Sequence, residues 1–251
     1  MGLLNKLGIG TGGSAGRNVT RQSPTAASGH HRGLGVPPAA VGAPRAPELS
    51  ETTRVSNGLK EFLWNLDGLG RGTLLDLGPA WQTTLNFFIE RGFRVTSDDL
   101  LRSWKDFMSE EEVRIKNAAN AVESVDVTPT GRAARFVQAN LKYSASSFDA
   151  VLLWDILDYL EPAVAKQAVG CLTEVLRPGG IVFAMFHSKK PEGFQRYRIA
   201  DSNTLQVIGA APLGPAQRVY QNREIQDLFG RFRTVKSFVG RDQLRESLFV
   251  K

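Results

Sequence analysis

Cysteine is almost absent from this chain of 251 residues, which contains only Cys171. A single cysteine excludes an intramolecular disulfide and any metal site built from several cysteines, and it suits a reducing compartment. Histidine is also scarce, and His187 is the only histidine beyond residue 47. We therefore expect a cytoplasmic protein that holds no metal, in which Cys171 is a small core residue.

Long apolar runs are missing as well. No stretch approaches the roughly 20 apolar residues that a membrane-spanning helix needs. The first ten residues contain too short an apolar run for a secretory signal, and Lys6 stands where a myristoylation signal has serine or threonine. The sequence therefore predicts no membrane span and no lipid anchor.

Acidic residues are missing from residues 1–47, which contain five basic residues, ten glycines and five prolines. Such a composition buries too little apolar surface to offset the entropy of the chain, so a disordered basic tail is predicted. Five of the six excess positive charges lie in this tail, which leaves residues 48–251 nearly neutral. Because the tail has no dense basic run and no interleaved aromatic residues, we expect no specific nucleic-acid partner.

Residues 48–251 alternate short apolar runs with helical patterns, which is typical of parallel strands joined by crossover helices. A helical stripe from Val55 is expected to end at Gly68, and a capping box at Ser109 and Glu112 predicts a helix through about Val122. Strands are predicted at 73–78, 94–99, 134–140, 148–156 and 181–186, with an antiparallel pair at 232–240 and 243–251. The fold class expected is a Rossmann-like, doubly wound α/β domain with a mostly parallel, seven-stranded sheet and helices on both faces.

Two segments carry a family resemblance, FDAVLLWDILDYLEP at 148–162 and LTEVLRPGGIVFAMF at 172–186. They resemble the fourth strand with its following helix, and the helix, Pro-Gly-Gly turn and fifth strand, of the class I S-adenosylmethionine-dependent methyltransferases of the small-molecule type. The resemblance extends over about residues 54–251 in the same order. It implies a methyltransferase-like domain, S-adenosylmethionine as the cofactor and methyl transfer to a small-molecule acceptor.

The resemblance assigns a cofactor-binding turn to the end of the first strand. The family has an acid and a glycine-rich turn there, because the backbone approaches the cofactor closely. This chain keeps Asp76 and Gly78, which Pro79 follows, but the next two glycine positions hold Ala80 and Gln82. The alternative is that this loop only turns the chain.

Other cofactor-binding residues follow from the ends of later strands. Asp99, or Asp98 if the register shifts by one, stands where the family has its ribose-binding acid, although an aspartate that caps the following helix is the alternative. Asn140 and Leu141 stand near the adenine-binding position, and an asparagine oxygen can accept a bond from the adenine amino group. Trp154 is expected either to cover the cofactor or to be a core aromatic.

Methyl transfer from a sulfonium requires in-line positioning, and a base only where the acceptor must lose a proton. Asp155, Tyr159 and His187 are the candidate catalytic residues, since they are predicted to point from strand ends into the cleft. A lone histidine is also compatible with a structural role. The insertion at 187–220 is expected to form a hairpin around residues 201–203, which either brings Arg196, Tyr197 and Arg198 to the substrate or leaves the arginines solvated.

Three functions are compatible with these residues. The first is S-adenosylmethionine-dependent methyl transfer to a small molecule. The second is a catalytically inactive, methyltransferase-like binding module, which Gln82 and the lost glycines favour. The third is a nucleic-acid or protein methyltransferase that docks through its tail. Against the third, residues 154–157 replace the Asn/Asp-Pro-Pro-aromatic motif of enzymes that methylate base amino groups.

Overall fold

The computed structural model describes residues 51–118 and 126–251, so the tail predicted at 1–47 lies outside the described residues. In chain order, the elements are β1 (Glu51–Val55), α1 (Asn57–Leu66), β2 (Gly72–Asp76), α2 (Gln82–Ile89), β3 (Phe93–Ser97), α3 (Leu100–Ala118), α4 (Pro129–Asn140), β4 (Phe148–Trp154), a 3₁₀ turn (Ile156–Tyr159), α5 (Pro162–Val175), β5 (Leu176–His187), β6 (Gln195–Ile199), β7 (Thr204–Gly209), α6 (Asn222–Leu228), β8 (Arg233–Val239) and β9 (Leu244–Val250).

The main sheet has six strands in the order β3-β2-β4-β5-β9-β8. Its first four strands are parallel, β9 is antiparallel to β5, and β8 is antiparallel to β9. This arrangement is a mostly parallel, Rossmann-like α/β sheet. Because the carboxyl ends of β2, β3, β4 and β5 lie at one edge, the residues that follow these strands are brought together there.

The strand predicted at 134–140 is wrong, and with it the expected count of seven strands in the main sheet. These residues lie in α4, which begins at Pro129 after Thr128, whose hydroxyl accepts a bond from the N–H of Gly131 at 3.1 Å. Ala133 and Phe136 are buried three residues apart, which is helical spacing. The helix cap at Thr128 therefore indicates the helical structure of this segment, whereas its short apolar run fits either a helix or a strand.

A second, smaller sheet has the order β1-β7-β6 and is antiparallel throughout. Its β6–β7 hairpin turns around residues 201–203, as predicted from the insertion. The assignment of Val55 to a helical stripe is wrong, because Val55 ends β1 and its side chain is 66% exposed. We call this three-stranded unit the small sheet.

Helix α3 runs without a break through Ser109, so the predicted capping box there is wrong. The hydroxyl of Ser109 donates to the carbonyl oxygen of Lys105, one turn earlier in the same helix. The helix begins instead after Asp99, whose carboxylate accepts the N–H of Arg102 at 3.1 Å. The end expected near Val122 lies outside the described residues.

The apolar core follows from the predicted stripes and strands. Val164, Ala168, Leu172 and Val175 form the buried face of α5, while Cys171 beside them is half-buried. In the described part of the chain, no helix is long and apolar enough to cross a membrane. Within residues 51–118 and 126–251, no group of three or more potential metal ligands is present.

Replacing Ser56 by alanine should lower the free energy of unfolding by about 1 kcal/mol. The buried Ser56 hydroxyl caps α1 by accepting the N–H of Leu59 at 2.9 Å. The matched control is Ser109→Ala, which removes a hydroxyl from the middle of α3 and should change little, as urea unfolding of both variants would show. An equal loss in both variants would contradict the helix start assigned to α3.

Candidate active site at the carboxyl edge of the sheet

Backbone hydrogen bonds join the ends of three parallel strands at this edge. The N–H of Asp98 donates to the carbonyl oxygen of Asp76 at 2.9 Å, and the N–H of Leu77 donates to that of Leu152 at 2.9 Å. The N–H of Leu100 reaches Leu77 at 3.1 Å. The predicted turn at 76–80 and the acids after β3 are therefore held side by side.

Asp76 is a buried acid at this edge, with 1% of its surface exposed. Its Oδ1 accepts the N–H of Gly78 at 2.9 Å and the indole N–H of Trp154 at 2.7 Å. Its Oδ2 is buried and has no hydrogen-bond partner among the described residues. Burial raises the pKa of this carboxyl from 3.8 to about 6, although both hydrogen bonds act in the opposite direction.

Trp154 covers the glycine of the turn. A Cβ placed on Gly78 would lie 2.6 Å from two atoms of the indole ring, so only glycine fits beneath it. The ring is edge-on to Phe183 and parallel to the ring of Tyr197, with centroids 6.1 Å apart in the second pair. Trp154 has a φ of 50°, which is rare for a bulky residue and places it among the conformations that cluster at functional sites.

The residues that follow Gly78 in the turn are more exposed than Asp76 and Gly78. Pro79 is half-buried and Ala80 is exposed. Gln82 is exposed at the start of α2, and its side-chain amide donates to the Asn86 side chain at 2.6 Å. The glutamine that replaces a family glycine therefore points along its own helix, where it bonds to the next turn.

Both acids after β3 already have partners. Arg196 of β6 donates from Nη2 to Oδ2 of Asp99 at 2.9 Å and to Oδ1 at 3.2 Å. Asp99 also starts α3, so the helix-cap alternative is correct as a description of its bonding. Asp98 is exposed and accepts a hydrogen bond from the Tyr143 hydroxyl. The helix α4 places Asn140 differently from the expected strand end, and its amide donates to the Phe136 carbonyl at 3.0 Å. Its role toward adenine stays a prediction, as does that of the buried Leu141.

The three candidate catalytic residues come together after β4 and β5. His187 Nδ1 lies 2.9 Å from Oδ2 of Asp158, which also accepts the backbone N–H of His187 at 2.7 Å. Since a carboxylate only accepts, Nδ1 carries the proton, and the neutral ring keeps its lone pair on Nε2. That atom is 3.8 Å from Oδ2 of Asp155. Although burial opposes it, the bond to Asp158 and the charges of Asp155 and Asp158 raise the pKa of His187.

Two tyrosines complete this cluster. The hydroxyl of Tyr197 donates to Oδ2 of Asp155 at 3.2 Å. The ring of Tyr159 is edge-on to His187, and its buried hydroxyl has no partner among the described residues. Burial raises the pKa of Asp155 to about 6, with the charge of His187 acting against the shift. Sequence reasoning missed Asp158, which follows no motif and gains its role only from its distance to His187.

A cavity of about 380 Å³ opens beside the cluster and is lined by His187, Tyr197, Gln195 and Arg54, among others. Its volume lies within the usual range for small-molecule sites. A larger cavity of about 800 Å³ lies between α5 and α6 and is lined by none of the predicted site residues. Of these two cavities, the smaller is the one that His187 lines.

No family model matches the chain, and no curated protein matches it. Solved structures do. A 1,6-didemethyltoxoflavin-N1-methyltransferase from Burkholderia thailandensis, with its substrate and S-adenosylhomocysteine bound, is 17% identical, with a TM-score of 0.42 over 78% of this chain and 79% of the other. An S-adenosylmethionine-dependent methyltransferase from Mesorhizobium loti is 14% identical, with a TM-score of 0.45 over 76% and 96%. One from Aquifex aeolicus is 12% identical, with a TM-score of 0.40 over 76% and 88%.

Proposed function

We propose that this chain is an S-adenosylmethionine-dependent methyltransferase that acts on a small-molecule acceptor. The observation that carries the proposal is the Asp76 carboxylate, which is buried at the end of β2 with Oδ2 unpartnered among the described residues. A buried charge without full hydrogen bonding is costly, and it is retained where a ligand satisfies it. S-adenosylmethionine offers a matching cation in its amino group.

The residues around Asp76 fit this cofactor in chemistry. Gly78 leaves the backbone without a side chain at the turn, and Asp99 or Asp98 offers carboxylate oxygens to ribose hydroxyls. Pro79, Ala80, Asn140 and Leu141 are the remaining proposed contacts. When bound, the cofactor supplies an electrophilic methyl group on a sulfonium.

On the acceptor side, we assign proton removal to His187. His187 is one of the residues that line the smaller cavity, which we take as the acceptor side, and its Nε2 lies 3.8 Å from Oδ2 of Asp155. Asp158 fixes the ring through Nδ1. An acceptor with an O–H or N–H group in this cavity would pass its proton to Nε2, which would leave the nucleophile ready to attack. Asp158 is a positioning residue in this scheme, and Asp155 with Tyr159 and Tyr197 shapes the surroundings of the transferred proton.

A second candidate is a binding module without turnover. It is favoured by one observation, namely that Trp154 lies directly over Gly78. The two candidates differ in whether the protein binds S-adenosylmethionine at this site. The methyltransferase must bind it, whereas the binding module need not.

Calorimetric titration with S-adenosylmethionine and S-adenosylhomocysteine should show saturable binding, weakened about tenfold or more by Asp99→Ala, because hydrogen bonds to a carboxylate are among the stronger ones. The matched control is Asp106→Ala, which removes an exposed carboxylate from α3. Asp106→Ala should bind as the wild type does. Absence of binding by the wild type at millimolar ligand would instead favour the module without turnover.

A further inference from the structure

Two groups that the proposed cofactor needs are each held by a side chain of the protein itself. The Asp99 carboxylate is held by Arg196, and the surface of Gly78 is covered by Trp154. We propose that Arg196 and Trp154 compete with the cofactor for its site and so determine its affinity. This inference rests on the proposed function, and it assigns to both residues a role that the sequence did not suggest.

Arg196 and the N–H of Arg102 together take up about three of the roughly four hydrogen bonds that the Asp99 carboxylate can accept. Nη2 of Arg196 donates to both carboxylate oxygens, and Oδ1 also accepts the N–H of Arg102. The side chains of Arg196 and Asp99 are only 11% and 20% exposed, so solvent screens this ion pair less than a surface pair. Ribose hydroxyls can therefore bind Asp99 fully only if the guanidinium moves away.

Trp154 covers the turn that follows β2. Its indole N–H is bonded to Asp76 at 2.7 Å, and its ring lies too close to Gly78 for even a methyl group between them. A ligand that approaches Gly78 from the side on which other residues carry a Cβ must displace the ring. Displacement of the ring breaks the bond between its indole N–H and Asp76.

The small sheet connects the two contacts. Arg196 and Tyr197 are neighbours on β6, and Tyr197 lies parallel to Trp154 while bonding to Asp155. The next inward residue of β6, Ile199, donates its N–H to Thr84 of α2 at 3.0 Å. Strand β6 is an edge strand of the small sheet. It contacts the candidate site through the side chains of Arg196 and Tyr197 and through the backbone N–H of Ile199.

The affinity of S-adenosylhomocysteine should therefore rise when either contact is removed. Arg196→Gln removes the cation that holds Asp99, and Trp154→Phe removes the indole bond that holds the ring against Asp76. In calorimetric titration we expect each variant to bind at least about fivefold more tightly than the wild type, because the apparent affinity is proportional to the fraction of the protein that is open. The matched control is Arg198→Gln, which removes a cation from the same strand whose partners are Glu51 and Gln206. It should bind as the wild type does.

An NMR measurement tests the Trp154 contact without reference to turnover. The indole N–H resonance of Trp154 is identified as the one missing from the NMR spectrum of Trp154→Phe. In the wild type, this resonance should shift when S-adenosylhomocysteine binds, because the bond from the indole N–H to Asp76 breaks. Thermal unfolding of each variant confirms that it is folded.

The outcomes separate this inference from the proposed function. The competition is overturned if the wild type binds and if Arg196→Gln and Trp154→Phe bind equally well or more weakly. It is also overturned if the Trp154 signal is unchanged in the saturated protein. Binding by the variants alone supports it in its strongest form. If none of the four proteins binds at millimolar ligand, the proposed function itself fails, and the inference with it.

Discussion

Replacing His187 by asparagine should slow methyl transfer by about 10²–10⁴-fold for an acceptor that must lose a proton, which is the usual contribution of a general base. The asparagine leaves Asp158 bonded to the backbone N–H of residue 187, so the fold around the site should hold. Single-turnover rates with a saturating acceptor measure the effect. The affinity for S-adenosylhomocysteine should stay as in the wild type, since His187 belongs to the acceptor side.

The pH dependence gives an independent test of the same role. His187 acts as a base only when its ring is neutral, so the wild-type rate should rise with pH and level off above the raised pKa of His187, beyond its usual 6.5. Asp158→Asn removes a carboxylate that raises this pKa, so the rise should move to lower pH while the maximal rate falls. A rate for His187→Asn within a few-fold of the wild type, with the same pH profile, would show that His187 is not the base.

The proximity of the three candidate catalytic residues follows from a rule of topology. Asp155, Tyr159 and His187 follow two strands whose apolar runs are strong, and neighbouring parallel strands end at the same edge. Asp158 and His187 are 29 positions apart in the chain, and the sequence carries no local signal of their contact. The roles of these residues in catalysis stay predictions, whereas their proximity is a property of the fold.

The missed elements share a physical reason. Strand β1 is exposed along most of its length, so it shows no apolar alternation, and its pairing partner β7 lies about 150 residues away in the chain. The strand predicted at 134–140 is wrong because a short apolar run fits both the helical and the strand periodicity, and the segment lies in α4. The pairing of Arg196 with Asp99 spans 97 residues, and both side chains read as solvated in the sequence.

Asp76→Asn should make the protein more stable at about pH 8, by about 1–3 kcal/mol, while weakening cofactor binding. The folded pKa of this carboxyl is about 6 against 3.8 for the free side chain, so the folded state binds the proton more tightly. For the wild type, this contribution to stability is complete below about pH 4 and is lost as the pH rises through about 6, a change of about 3 kcal/mol. Because asparagine does not ionise, the Asp76→Asn variant does not lose this stability as the pH rises.

Urea unfolding at both ends of this range checks the sign. The asparagine oxygen can accept the same two bonds from Gly78 and Trp154, and the stability difference between variant and wild type should shrink toward low pH. Asp67→Asn removes a carboxylate from an exposed position after α1 and should show no such dependence. A protein that gains stability on losing Asp76 retains that charge at a cost to its fold, which is expected of a group kept for a ligand. A loss of stability at high pH would mean that the protein already satisfies the charge, and the proposed function would lose its main support.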